Sequence, residues 1–407
     1  MKLSVATNFD DELIDQIKDY PVEEIYGKLP KDFIGGGRSS YMLAPMSKRL
    51  LAQHVKQARK HGIGFNYLLN ASCMDNMEIT RAGQKRIRKL LDWISEIGVS
   101  AVTVSNLFLL QTIKKCYPHL RVRTSVFACI DNLRKAKYWE EAGADIIVPD
   151  AHAVNRDFET LKFLKDNLAC DLEILANGNC LMNCVMAHTH PNLMAHSSQT
   201  KHRSGGFVID HCFLYCQKYK TKDPVNYLRS DWIRPEDIHH YEDIGLEHFK
   251  LVERNIPTRE LVKRVKAYSE RAYDGNLLDL IQGFGFKTET KRKAHRLFFN
   301  LSFFFRPSKV NPLRLLNLKE LCEKKGMLMP SEGEPPVYID NRKLDDFIKP
   351  FLKRSCRNLR CGRDCRHCHA YAEKAITIDP RFAEECLGLH EKIDEEMLTG
   401  KMWNFIG

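Results

Sequence analysis

The feature that most constrains the fold of this chain is an alternation that recurs eight times before Gly275. Short β-branched or apolar runs, LSVATNF, VEEIYGKL, GIGFNYLLNAS, VSAVTVSN, VRTSVFACI, ADIIVPD, LEILANGN and LEHFKLVERN, are separated by longer stretches of another period. Ser47 to His61, Thr80 to Ile97, Asn132 to Gly143 and Asn155 to Asn167 carry apolar residues about three and four apart, the pattern of a helix with one buried face. Strand, crossover helix and parallel strand repeated in this way give an α/β fold, a (β/α)8 TIM-type barrel, regular or distorted. The 407 residues exceed what the barrel needs. The expected organisation is a barrel with a central cysteine cluster over 1–275, a basic and aromatic helical segment with a linker over 276–350, and a cysteine-rich, metal-binding extension over 351–407.

Barrel enzymes place their chemistry at the C-terminal ends of the strands. There the polar residues are Asn8, Asn70, Ser105, Asn106, Ser125, Asp150 and Asn177. They are expected to ring one mouth, although Ser, Asn and Asp at such positions also serve as helix N-caps. The eighth strand would bring Lys250, Glu253 and Arg254 to the same mouth. Lys250 and Arg254 suit an acidic substrate and Glu253 a base or an orienting group; a salt-bridge network closing the barrel uses the same three residues. After the second strand, GGGRSS at 35–40 offers close backbone approach and, in Arg38, a clamp for a carboxylate or phosphate. A plain flexible loop explains it too.

Cys180 and Cys184 follow the seventh strand, and Cys212 and Cys216 repeat their spacing. A CxxxC pair on a helix sets both sulfurs on one face, one turn apart, so two pairs can complete a four-thiolate shell. A [4Fe-4S] cluster is preferred to zinc, whose structural sites favour a tighter C-x2-C turn. The interleaved His188, His190, His196, His202 and His211 pull toward zinc or act as outer donors. Cys356, Cys361, Cys365 and Cys368 form a second quartet for an iron–sulfur cluster or zinc. Its last three spell C-x3-C-x2-C, but beyond the barrel and with a fourth cysteine, which favours an auxiliary cluster over a radical-generating one. One cluster is expected, or two. His367 and His369 are alternative ligands or solvent-facing residues.

The formal charge of +11 and pI of about 8.9 favour polyanions or small acidic substrates, RNA included. No leader-like or membrane-spanning apolar run is present in the sequence, so a cytoplasmic protein with reduced thiols is expected. In KTETKRKAHRLFFNLSFFFRP, Lys287, Lys291, Arg292, Lys293 and Arg296 stand beside Phe298, Phe299, Phe303, Phe304 and Phe305. That mixture suits a helix or strand packed on the barrel, or single-stranded nucleic acid. LMPSEGEPP, 328–336, reads as a linker.

The segment IHHYEDIGLEHFKLVERNIPTRELVKRVKAY resembles a signature of the peptidase U32 family, in which Ile-Gly precedes a strand carrying Lys-(Ile/Leu)-x-x-Arg. LEILANGNCLMNC resembles the family's other signature, and YIDNRKLDDF fits a downstream element. The resemblance implies a barrel and, as in its better understood members, a [4Fe-4S] cluster in enzymes that hydroxylate ubiquinone precursors or RNA bases without molecular oxygen. It also implies a prephenate-like oxygen donor and an electron donor as partners. The family's collagenase-like members give it the name peptidase, and a peptidase or hydrolase stays open on that name alone, since no Ser-His-Asp pattern, HExxH helix or papain-type cysteine context is recognised here; a metal-stabilised RNA-binding protein is the non-enzyme alternative. Val252-Glu253 replaces an expected Glu-Gly, Gly178 lies one residue closer to Cys180 than usual, and Cys184 takes the place of a ligand located elsewhere.

Overall fold

The structure, a computed structural model, describes residues 1–40, 43, 45–281, 305–324 and 335–404. Eight parallel strands close into a barrel in chain order. They are β1 Lys2–Ala6, β2 Val22–Gly27, β3 Gly64–Leu69, β4 Ala101–Val104, β5 Arg121–Thr124, β6 Ile146–Ile147, β7 Asp171–Leu175 and β8 His248–Leu251. Each overlaps one of the eight runs read from the sequence, with β1, β5 and β7 starting one residue earlier. The barrel is distorted at β6, which joins β5 through Arg123 and Ile146 alone.

The surrounding helices include α1 Asp11–Ile17, α2 Lys48–Lys60, α3 Arg81–Glu96, α4 Leu107–Cys116, α5 Leu133–Glu141, α6 Ala151–Val154 and α7 Phe158–Asn167. They start where polar side chains satisfy orphan backbone N–H groups. Ser47 accepts from Leu50, Thr80 from Gly83, Asn106 from Leu109 and Asn132 from Lys135. Asn106 and Asp150 of the expected ring prove to be such caps, Asp150 for α6.

The barrel interior is polar in cross-section. Ser4, Glu24, Asn66, Thr103, Arg123, Glu173 and Lys250, one from each of seven strands, are all buried. Arg123 bridges Glu24 and Glu173 at 2.8 Å each. Ser4 and Asn66 donate to Glu24 at 2.7 and 2.9 Å, and Thr103 donates to Asn66 at 3.0 Å. Such a layer is tolerated only because nearly every charge has a partner.

Between β7 and β8 the chain leaves the barrel and forms α8 Thr189–Ser198, α9 His211–Lys222, α10 Val225–Leu228 and α11 Ile238–Glu242. After β8, α12 Thr258–Glu270 and α13 Leu278–Ile281 return to the barrel wall. The C-terminal part contains α14 Leu315–Glu323, the antiparallel pair β9 Val337–Ile339 and β10 Ile376–Ile378, α15 His367–Ala375 and α16 Pro380–Leu398. It docks through Lys218 and Asp394 at 2.8 Å and through Asn276, whose side chain binds Val337 and Ile339. The basic and aromatic residues from Lys287 to Phe304, and residues 328–334 of the linker, lie outside the described residues; Phe305 is exposed. Among the described residues no helix is long and apolar enough to cross a membrane.

Candidate functional site

A cavity of about 240 Å³ opens at the C-terminal ends of the strands. Asn70, Ser125 and Asn177 line it, as their positions after β3, β5 and β7 require. Asn8 and Ser105 do not: Asn8 binds Ile256 and Thr258, and Ser105 donates to Asn70 O. Cys180, Cys184, Cys212 and Cys216 face this same cavity together with Arg38, Lys250, Glu253 and Arg254.

Two different local structures present the four cysteines. Cys212 and Cys216 lie on α9, one turn apart, behind the N-cap of Asp210. The helical reading fails for Cys180 and Cys184, which sit in irregular turns with Asn183 at φ 53. There Leu181 bridges to Ser230 and Met182 N–H donates to Arg229 O, so the chain is held by neighbours rather than by its own helix. Lys220 clamps the turn through Asn179 O and Oδ1 at 2.6 Å each. Asp231 receives the Cys180 N–H at 2.8 Å and His152 Nδ1 at 3.0 Å. A Cβ on Gly178 would fall 2.5 Å from Asp231 Oδ1, so this approach requires glycine.

Burial pushes the Cys180, Cys184 and Cys212 thiols up, Cys212 to about 12, with Asp210 adding to the effect there and Asp231 adding at Cys180. Lys220 pulls Cys180 and Cys184 down without overcoming burial. Converting these thiols to ligands needs a strong cation. In neither quartet do three sulfurs lie within 4.8 Å of one another. A tetrahedral zinc would draw its sulfurs to about 3.8 Å spacing, whereas a cubane cluster holds them farther apart.

The cationic side of the cavity is built from β8 and the GGGRSS loop. That loop is pinned, not free: Gly36 donates to Ser198 Oγ at 2.9 Å, and Gly37 donates to Asn70 Oδ1 at 3.3 Å. Arg38 thereby meets Glu253 at 2.8 Å. Burial pushes the Arg38 guanidinium down, but the Glu253 carboxylate outweighs it and holds it above its ordinary value. Arg254 goes the other way: burial, then the positive charge of Arg38, lower it to about 10. Its Nη1 is shielded from water and has no hydrogen-bond partner. Lys250 sits deeper, 3.7 Å from Glu173 and 4.3 Å above the Tyr26 ring, with burial lowering its pKa. It thus joins the buried ion layer while still lining the cavity.

Glu253 has φ 99, a conformation that glycine takes freely and other residues resist. This gives the Glu-Gly of the family signature a physical meaning: the position favours glycine, and this chain carries glutamate there. Asn177 holds the strained segment, accepting from Val252 N at 2.5 Å and donating to Val252 O at 3.1 Å.

The second quartet lies outside the cavity. Cys356, Cys361, Cys365 and Cys368 are near enough to influence one another's ionisation, and the backbones of Cys361 and Cys365 pair in an isolated β-bridge. Arg354 reaches Cys365 Sγ at 3.0 Å. Arg156, packed over Trp232 at 4.3 Å and Phe347 at 5.0 Å, lies beside Cys356 and Cys368. His367 is half-buried: it stacks on Phe347 at 5.1 Å and binds Phe347 O at 2.9 Å. His369 contacts Arg229 at 3.2 Å.

Of the interleaved histidines, His190 pairs with Asp210 at 3.0 Å and lines the cavity, His211 lies 3.4 Å from Cys212, and His188 lies 3.6 Å from Cys129. Sequence reasoning missed His152 and Asp231, which with Cys180 place three ligand atoms within 4.8 Å of one another. The place of His152, directly after β6, was the available signal; Asp231 lies far along the insertion and gave none.

A closed parallel barrel whose C-terminal mouth holds a cavity lined by four cysteines and by Arg38, Lys250 and Arg254 defines a (β/α)8 protein. The sequence model described as peptidase family U32 matches residues 38–310, and the chain belongs to that family. It is 28% identical over 355 residues to a Methanocaldococcus jannaschii protein described as an uncharacterized protease, covering 87% of this chain and 89% of that protein. A solved U32 peptidase structure is similar over 62% of this chain and 92% of its own, with 19% identity and a TM-score of 0.48.

Proposed function

We propose that this chain is an iron–sulfur enzyme that modifies an acid-bearing small molecule or an RNA base by oxygen-independent hydroxylation or a related redox reaction. One observation carries the reading: four cysteines share a cavity with Arg38, Glu253 and Arg254. Cys180, Cys184, Cys212 and Cys216 would hold a [4Fe-4S] cluster, and the meeting of all four at one cavity fits it. Such a cluster supplies one-electron redox chemistry. The protein's own groups do the rest. Arg254 Nη1, buried without a partner, donates to a carboxylate of the substrate or of a prephenate-like oxygen donor. Glu253, fixed by Arg38, orients that group or takes a proton at its carboxylate. Lys250 Nζ, desolvated beside Glu173, holds a transferable proton. Phe127, Met186 and Met194 shield the cavity from water.

The C-terminal quartet would hold a second cluster or zinc, and an external electron donor would serve the central one. A cytoplasmic setting, where thiols stay reduced, suits both. The test is the iron, sulfide and zinc content of protein purified without oxygen. About eight irons per chain are expected for two clusters, or about four with one zinc, and Cys212→Ser removes about four. Zinc without iron, or unchanged iron in Cys212→Ser, overturns the reading.

A further inference from the structure

A second constellation of ligating side chains lies on the outer face of α8, among residues that do not line the cavity. Cys73 and Asp75, on the loop after β3, and His196, on α8, offer ligand atoms that all lie within 4.8 Å of one another. We propose that these three residues bind a zinc ion that latches the β3 loop to the β7–β8 insertion.

Three observations carry this. First, His196 Nε2 is shut off from water and makes no hydrogen bond, its nearest carboxylate oxygen, Asp75 Oδ1, being 3.9 Å away. A buried imidazole nitrogen without a partner costs free energy that a bound cation would return. Second, the two ligand-bearing segments are already held in register. Gln199, directly after α8, donates to Cys73 O at 2.7 Å and to Ile34 O at 2.9 Å. Third, an outer donor stands ready. His202 stacks on His196 with centroids 4.2 Å apart, and its Nδ1 accepts the Ser204 N–H at 3.2 Å. The ring hydrogen of His202 is therefore on Nε2, which faces Asp75 Oδ2 at 3.6 Å and can orient that carboxylate. The same tautomer makes His202 a poor fourth ligand.

A thiolate, an imidazole and a carboxylate together suit zinc better than magnesium or calcium, which prefer oxygen alone. Three protein ligands leave one position open, and Asp75, 53% exposed, gives water access to it. The latch has a consequence for the mouth. Ser198, two residues after His196, receives Gly36 N–H and so helps fix the loop that carries Arg38. The site uses none of the eight quartet cysteines, so it stands or falls separately from the iron–sulfur reading.

The experiment measures zinc and iron by mass spectrometry on anaerobically purified, chelator-free protein and on Cys73→Ala, His196→Ala, Asp75→Ala and Cys212→Ser. After zinc addition and desalting, about one zinc per chain is expected to disappear in Cys73→Ala and His196→Ala with iron unchanged. Asp75→Ala, which alters an exposed side chain at φ 53 and adds about 1 kcal/mol of backbone strain without touching the core, is expected to weaken zinc at least about tenfold against a chromophoric chelator. Cys212→Ser should keep this zinc while losing iron. Equal zinc in wild type and Cys73→Ala, undiminished affinity in Asp75→Ala, or a zinc that departs with Cys212 overturns the proposal.

Discussion

Arg38 Nη2 donates to Glu253 Oε2 at 2.8 Å across the barrel mouth, joining residues 215 apart in sequence. The carboxylate is 1% exposed and the guanidinium 27%, so the pair is desolvated on its acidic side and reachable from the cavity on its basic side. The partner that is sealed is also the one whose backbone is strained, at φ 99. Structure here favours placing a carboxylate over relaxing the chain.

This relationship can be dissected with two substitutions at one position. Glu253→Ala and Glu253→Gly both remove the carboxylate, but only glycine also relieves the backbone. The glycine variant should therefore be more stable than the alanine variant by about 1 kcal/mol in urea unfolding. Both should lose the stabilisation that Arg38 supplies. Equal stabilities of the two variants would show that φ 99 carries no strain.

The buried ion layer makes a larger prediction. Arg123 is the cation between Glu24 and Glu173, and all three are essentially inaccessible. Arg123→Met leaves two carboxylates facing each other in a desolvated interior, at a cost of about 3–5 kcal/mol. Adding Glu24→Gln should recover a large part of that loss, because Glu173 keeps Lys250 at 3.7 Å and no carboxylate is then left without a cation. A single-variant cost below about 1 kcal/mol in denaturant unfolding would contradict the layer.

How much of this could be read beforehand follows from what each signal depends on. The eight strands were legible because a parallel strand buried on both faces is a run of apolar residues whatever lies around it. The helices were legible because Ser47, Thr80 and Asn132 mark their starts locally. Glu24, Arg123 and Glu173 were overlooked although charged residues inside apolar runs are the mark of an interior network. The turn at Cys180 was misread as helix because its shape is set by Lys220, Arg229 and Asp231, tens of residues downstream. The meeting of Cys73 with His196 depends on the insertion folding back over the β3 loop, which no local pattern encodes.

Asp237 gives a pH dependence with a defined sign. Burial raises its carboxyl to about 6, with Glu236 pushing the same way and Arg234 pulling against them. The folded state thus holds the proton more tightly than the unfolded chain, whose value is 3.8. The stabilisation from that proton is complete below pH 3.8 and is lost as pH rises through about 6. Asp237→Asn has no proton to lose. Relative to wild type it should gain about 1–3 kcal/mol between pH 4 and pH 7.5, read from urea unfolding at several pH values. A difference that stays constant across this range would refute the burial of an ionisable carboxyl there.

Gly178 tests whether the Asp231 carboxylate organises the cysteine turn. Asp231 Oδ1 receives the Cys180 N–H, and it also occupies the space a Cβ on Gly178 would need. Gly178→Ala must displace one of them, at a cost of about 1–3 kcal/mol. Because the displaced group anchors Cys180, the proposed function predicts that iron bound at the central quartet falls while metal bound at the C-terminal quartet, which lies outside this cavity, does not. Asp231→Ala removes the obstructing carboxylate and the anchor together. The double variant should therefore be destabilised by less than the sum of the two single variants, since residues in contact do not act additively. Strict additivity in a double-mutant cycle would mean that Gly178 and Asp231 do not meet, and that the turn is held in another way.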